Sequence, residues 1–424
     1  MILRPTRRQL ITGAAATAAG LTLPRPLGAA TATDERKFII VQALGGWDIT
    51  SLFAPIFGST YVEHAEGSDT ASYSGLEWVT HANRPSVDAF FQRWGDTTAF
   101  LNGVYVASIA HPSALRFMLT SSLDTSAADW ATRIAAYSKA DHVLPHLVIG
   151  GAYFAGPYGV HVGRSGSAGQ LQGLASGEIL TYSDMPVALP TLDRANGVDV
   201  WLAEASTRAA ARATGTGRKA LLGAYDKALE RSRSVREMAN DLDFTGNESF
   251  TSQLEIAVRA LELGVSRCVT VAHPQRDAQM SYDSHAINDL TTSVLLESLF
   301  SELDRLMDML ATTTSPSGAP LADETVVVVM SEMARSPTYN GSDGRDHWPC
   351  TSAMILGSGV NGGRMYGGWN EEMYGQQIDL SSGDVAEGGE WLAPEHLGAT
   401  LLALADVDPA DTGVVVDPIA GMLA

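Results

Sequence analysis

Residues 330–349 read MSEMARSPTYNGSDGRDHWP, placing Glu332, Arg335, Asp343, Arg345, Asp346, His347 and Trp348 directly after the apolar run TVVVVM. Carboxylates and imidazoles are ligands for divalent metals, and guanidinium is a planar fork of donors suited to oxyanions. Comparable groups follow other apolar runs: Asp48 in GGWDIT, His111 in YVASIAHPSALRF, and Asp283 with His285 in VAHPQRDAQMSYDSH. Taken singly, each has an ordinary reading. An Asp after a strand is more often a turn or helix cap than a ligand. His64, His81, His142, His146 and His161 read as surface or core residues, and His396 as a structural residue at a helix start.

The set carries more weight than its members. Asp48, His111, Asp283, His285, Glu332, Asp346 and His347 all fall at predicted strand ends. Four carboxylates drawn into a small volume would repel one another unless cations neutralised them. The expectation is therefore one or two divalent ions held by Asp48, Asp283, His285, Glu332, Asp346 and His347. Imidazole with carboxylate suits zinc, manganese or iron(II), and oxygen-rich ligation admits magnesium or calcium. Two ions roughly 4 Å apart would clamp a phosphoryl-like or sulfuryl-like group. Arg335 and Arg345 would grip its remaining oxygens, with a loop-ordering salt bridge as the equal alternative.

The elements that must position these groups are six short runs, KFIIVQALGG, TTAFLNGVYV, PHLVIGG, RCVTVAHP, ETVVVVMSE and TSAMILGSG. Their near-continuous apolarity predicts strands covered on both faces, as in a mainly parallel sheet. Helical patterns lie between them. The clearest begins at Ile287 and keeps Leu290, Val294, Leu299, Leu303, Leu306 and Leu310 on one stripe. Others cover 86–94, 127–138, 200–213, 217–242, 250–263 and 394–405. This alternation predicts an α/β sandwich, whose ligands collect beyond the carboxyl ends of the strands. Gly/Ser-rich text at 151–215 breaks the rhythm and reads as an insertion over one sheet edge, or as a linker between two domains.

Composition excludes some partners. The chain has 424 residues with 28 Lys+Arg against 48 Asp+Glu, a net charge of −20. Such a surface repels nucleic acid and anionic lipid, leaving a small anionic ester or a surface polymer as the expected ligand. The N-terminus has Arg7-Arg8, then a weakly hydrophobic Ala/Gly/Leu segment and small residues near Ala30. It resembles a twin-arginine export signal over 1–32, which predicts a periplasmic or extracellular protein with one main domain at 33–424. The apolar segment is too short for a permanent membrane span. The two cysteines, Cys268 and Cys350, read as buried thiols on neighbouring strands, although an exported protein could join them.

GGWD, YDSHAIN, VVVVMSEMARSPTYNGSDGRDHWP, GSGVNGGRMYGGWN and LAPEHLGATLLALADVDP together resemble the DUF1501 family, exported bacterial proteins grouped with the alkaline phosphatase and sulfatase superfamily. The likeness runs from about residue 37 to 409 and is weakest at 151–215. It implies an alkaline phosphatase-like three-layer αβα sandwich with a mainly parallel central sheet. By motif, Asp48 looks like the first-strand metal aspartate and Asp283 and His285 like a metal-binding pair. Glu332 looks like the counterpart of a superfamily aspartate, and His347 like the last metal histidine. Met333 departs from the pattern by replacing a ligand histidine of the phosphatases, for which Asp346 would compensate. A second departure is Ala110 before His111, where a hydroxyl nucleophile is expected. Ser113 or Ser108 would substitute, with a capping or packing role as the alternative for both, and if neither serves a metal-bound water attacks. The resemblance implies a metal-dependent phosphatase- or sulfatase-type hydrolase, a degenerate binding or assembly protein as the alternative, and a DUF1800-type partner protein.

Overall fold

Seven of eight strands in the central sheet run the same way, and the exception is the one that borders the chemistry-rich loop. In the computed structural model, which describes residues 35–165, 171, 192–237, 249–275 and 278–424, the strands are β1 (Lys37–Ala43), β2 (Asp69–Tyr73), β3 (Leu76–Thr80), β4 (Thr98–Tyr105), β5 (His146–Val148), β6 (Val162–Arg164), β7 (Cys268–His273), β8 (Thr325–Met330), β9 (Ala334–Arg335), β10 (His347–Trp348), β11 (Cys350–Gly357) and β12 (Arg364–Gly367). The helices are α1 (Pro85–Trp94), α2 (His111–Thr120), α3 (Trp130–Ala136), α4 (Leu192–Arg212), α5 (Thr216–Glu237), α6 (Phe250–Glu262), α7 (Asn288–Thr312) and α8 (Pro394–Leu404). The expected signal segment at 1–32 lies outside the described residues, as does part of 151–215. The described part of that stretch adds edge strand β6 and helix α4, which packs on α5.

The sheet order is β12-β4-β11-β8-β1-β7-β5-β6. β1 lies between β8 and β7, parallel to both, with Val41 opposite Val329 and Val271. All six apolar runs become strands of this sheet, while β11 inserts antiparallel between β8 and β4. Side-chain alternation divides the strands between two cores. Ile39, Val41, Val327 and Val329 face α1, α6 and α7, whereas Phe38, Ile40, Val326 and Val328 face α2, α3 and α8. The fold is thus a three-layer αβα sandwich around a mainly parallel sheet.

Two expectations change. The stripe predicted from apolar spacing includes Leu290 and Val294, but both are exposed, and the buried face of this turn is Asn288, Thr291 and Leu295. Packing against α1 and α6 sets that face, and apolar periodicity alone misphases it at the helix start. Cys268 and Cys350 are free and buried, yet β1 and β8 lie between their strands. Three strand spacings come to about 14 Å, beyond disulfide reach. Among the described residues no helix is long and apolar enough to cross a membrane.

Candidate metal centre

β1 and β8 end side by side, and their first loop residues are tied together. Glu332, buried, accepts from Gly45 N at 2.9 and 3.2 Å, and the Ser331 hydroxyl accepts from Gly46 N and Trp47 N at 3.1 Å. Gly45 sits at φ +116°, and a Cβ there would lie 2.5 Å from Asp283 N. Only glycine allows the turn and the close approach of the 283 segment. The loop after β8 then returns as a short ladder in which His347 of β10 pairs with Arg335 of β9. The same loop packs on the segment after β7, where a Cβ at Gly344 would meet the His285 carbonyl carbon at 2.0 Å.

The result is a half-exposed cluster centred on Asp283. Its Oδ1 lies 3.4 Å from His111 Nε2, 3.2 Å from His285 Nε2 and 3.3 Å from His347 Nε2. It also accepts a 2.6 Å hydrogen bond from Arg335 Nη2. His285 Nε2 and His347 Nε2 are 3.0 Å apart. Each imidazole is held from behind at Nδ1: His111 by Glu332 Oε1 at 2.8 Å, His285 by Asp346 Oδ1 at 3.0 Å, and His347 by the Ile109 carbonyl at 2.6 Å. Such oxygens accept, so Nδ1 carries the proton and a neutral ring turns an Nε2 lone pair inward.

Electrostatics sharpen this picture. Burial, reinforced by the Arg335 charge, holds the His347 pKa below its ordinary value and favours the neutral ring. The hydrogen bond that His111 donates to Glu332 raises the pKa of His111 and favours its charged form. Burial alone would raise the Asp283 pKa, but the Arg335 hydrogen bond and charge outweigh it and keep the carboxylate ionised. His111 Nε2 is buried without a hydrogen-bond partner. Lone pairs facing an ionised carboxylate are unfavourable unless a cation lies among them, and at His111, whose pKa is raised, that cation is either a proton on Nε2 or a metal ion. Among the described residues, the group of three or more donors with metal-holding proximity is His111, Asp283 and His347, whose ligand atoms all lie within 4.8 Å of one another. Zinc-type ligands about 2.0–2.1 Å from an ion in tetrahedral geometry are separated by about 3.3–3.4 Å, which matches the Asp283–imidazole distances. The donor set fits a divalent metal, with His285 adjoining through Asp283 and His347.

Several expected site residues do other work. Asp48 is buried, and its oxygens are occupied by Thr50 N at 2.9 Å, Thr50 Oγ1 at 2.7 Å, Ser51 Oγ at 2.9 Å and Asn288 Nδ2 at 2.7 Å. Arg345 Nε faces it at 3.2 Å. It caps the 3-10 turn Ile49–Ser51 and neutralises a buried arginine, so the structure does not bring it to the cluster. Arg335 and Arg345 are fully buried. Arg335 donates to Gly45 O, Gly46 O, Arg345 O and Asp283, and Arg345 donates to Ser336 O and Glu63 O while covering the Tyr339 ring. Both guanidiniums are turned into the fold, Arg335 toward backbone carbonyls and Asp283, Arg345 toward backbone carbonyls and Asp48. Glu332 and Asp346 orient histidines from outside the triad, and Met333 is core.

Ala110 is the N-cap of α2, which has no side-chain cap, and His111 and Ser113 occupy its first turn. The Ser108 hydroxyl accepts from Ala110 N at 3.2 Å and so shapes the entry to the helix. His396 Nδ1 accepts from Ala393 N at 3.1 Å at the start of α8. Sequence reading missed Asn288, Ser331 and the Ile109 carbonyl as positioning groups. Only Asn288 offered a signal, as the polar residue closing YDSHAIN.

Residues 39–410 match the family model of DUF1501, described as a protein of unknown function. The chain belongs to the DUF1501 family. No curated protein matches this sequence. Solved structures similar to this DUF1501 chain include a 2-O GAG sulfatase, at 10% identity over 90% of this chain and 73% of that one, TM-score 0.37. A sulfatase from Pseudoalteromonas sp. is 9% identical over 92% of this chain and 72% of that one, TM-score 0.39. A protein of the alkaline phosphatase superfamily from Vibrio parahaemolyticus is 10% identical over 88% and 67%, TM-score 0.35.

Proposed function

We propose that this DUF1501 chain is an exported, metal-dependent hydrolase of phosphate or sulfate esters. The observation that carries the reading is the ring of Nε2 atoms of His111, His285 and His347 around Asp283 Oδ1, each ring held at Nδ1 by an acceptor. His111, Asp283 and His347 would hold the ion, with His285 beside them. A divalent ion bound there supplies Lewis acidity toward an ester oxygen and lowers the pKa of coordinated water. The chain's own residues set the rest. Glu332 and Asp346 fix imidazole orientation, and Arg335 keeps Asp283 ionised and aimed inward. The half-exposed cluster leaves room for an anionic ester to approach.

Because Ala110 supplies no hydroxyl at the start of α2, Ser113 is the remaining side-chain nucleophile of that turn, and direct attack by water is the alternative route. We assign 1–32 as the export signal and a periplasmic or extracellular location. A second reading, a degenerate member acting in surface binding or assembly beside a DUF1800-type protein, is favoured by Ala110 and by the two arginines committed to the fold.

Elemental analysis of the native exported protein tests the first reading, with about one divalent ion per chain expected from the donor set. Turnover of an aryl phosphate or aryl sulfate that persists in Ser113→Ala and Ser108→Ala but disappears with metal removal would assign water attack. Intact metal without turnover of any ester would favour the binding reading, and absence of metal would end the hydrolase reading.

A further inference from the structure

The start of α7 holds an unusual backbone conformation beside the cluster. Ile287, two residues after His285, is the N-cap of α7 at φ 47°, ψ 46°. Gly and Asn enter this left-handed region readily, whereas a β-branched residue does so under strain. Its conformation is pinned by Ile287 N donating to Ser342 O at 3.3 Å, Asn288 N donating to Asp343 O at 2.8 Å and Asn340 Nδ2 donating to His285 O at 3.1 Å. None of these bonds requires an isoleucine side chain. That side chain is 59% exposed, so the core gains little from it.

Leu290 at 60% and Val294 at 45% exposure continue the pattern at i+3 and i+7, opposite the buried Asn288, Thr291 and Leu295. An apolar strip therefore starts next to His285 and follows α7 for about 10 Å. A strained, exposed apolar residue that stability alone would replace points to a contact outside the fold.

We propose that Ile287, with Leu290 and Val294 behind it, is the specificity surface for the apolar alcohol moiety of the ester, so that the substrate class is an alkyl phosphate or sulfate. This rests on the hydrolase reading above. Position supports that occupant, because the strip starts two residues after His285 at the N-terminus of α7 and runs along that helix away from it. Each methylene laid on the strip contributes up to about a threefold gain in affinity.

The test is calorimetric binding of ethylphosphonate and hexylphosphonate, which are not hydrolysed, to the zinc-loaded full chain and to Ile287→Asn and Leu290→Asp. The wild type is expected to bind hexylphosphonate at least about tenfold more tightly. Both variants should lose most of that preference while retaining ethylphosphonate affinity, and Ile287→Asn should also melt about 1–3 °C higher as the strain is relieved. Equal binding of the two phosphonates, or a preference unchanged in the variants, overturns the proposal and leaves the hydrolase reading intact. Failure of both phosphonates to bind overturns this proposal, while metal content and aryl ester turnover decide the hydrolase reading separately. A loss of self-association in Leu290→Asp without any change in phosphonate affinity assigns the strip to contact between copies and also overturns it.

Discussion

Two Asp–Arg pairs lie close together at the carboxyl end of this sheet and have opposite fates. Asp48 and Arg345 are both buried, and every Asp48 oxygen is met by a hydroxyl, amide or guanidinium. Asp283 also meets an arginine, Arg335, but stands half-exposed with three imidazole nitrogens turned toward it. Residue type does not separate the pairs. What separates them is whether neighbouring donors exhaust the carboxylate. A saturated, buried carboxylate is part of the scaffold, whereas one surrounded by other acceptors retains affinity for a cation.

The contrast can be broken most forcefully at Asp48. Asp48→Ala leaves Arg345 charged and uncompensated in the interior, with an expected loss of about 3–5 kcal/mol in chemical unfolding. Whatever protein remains folded should keep its metal. A loss of metal without a loss of stability would reverse the two roles. His347→Ala should do the converse: metal affinity falls by more than about 100-fold, equivalent to about 2.7 kcal/mol, while metal-free unfolding stays within about 1 kcal/mol of wild type. Equilibrium dialysis and urea titration of the metal-free chain read the two effects separately.

A finer test is Glu332→Gln, which keeps the shape but weakens the acceptor behind His111. Metal affinity should fall about 10- to 100-fold, the usual range for an outer partner of a ligand. No change would show that His111 does not depend on that carboxylate. The smallest effect concerns pH. His273 is buried against Phe250 and Tyr282, and burial lowers its pKa to about 3. Between about pH 6.5 and 3 the unfolded chain therefore binds a proton that the folded chain does not. Stability is fully present above pH 6.5 and declines as pH falls, at up to about 1.4 kcal/mol per unit for this group. Urea midpoints of the metal-free chain from pH 7.5 to 5 should fall more steeply than those of His273→Gln.

The strands were legible because both faces of the sheet are buried, so TVVVVM and KFIIVQA carry β-branched and apolar residues almost without interruption. The direction of β11 was not legible, since TSAMILGSG is equally apolar whichever way it runs. Apolar spacing misplaces the phase of α7 at Ile287, Leu290 and Val294, where apolar residues face outward. Sequence leaves Arg335 and Arg345 equally open to gripping an anion or ordering the loop by a salt bridge, because their burial depends on the carbonyls of residues 45, 46, 63 and 336, and all but the last come from a distant part of the chain.

Sequence alone determined the layered α/β class, the family, and the presence of several acidic and imidazole groups at strand ends, because these follow from local periodicity and residue chemistry. Only the tertiary structure decided which of those groups remain unsatisfied. Hydrogen-bond saturation is set by neighbours brought from far along the chain: Asn288 and Arg345 complete Asp48, while Glu332, Asp346 and the Ile109 carbonyl turn three imidazoles toward Asp283.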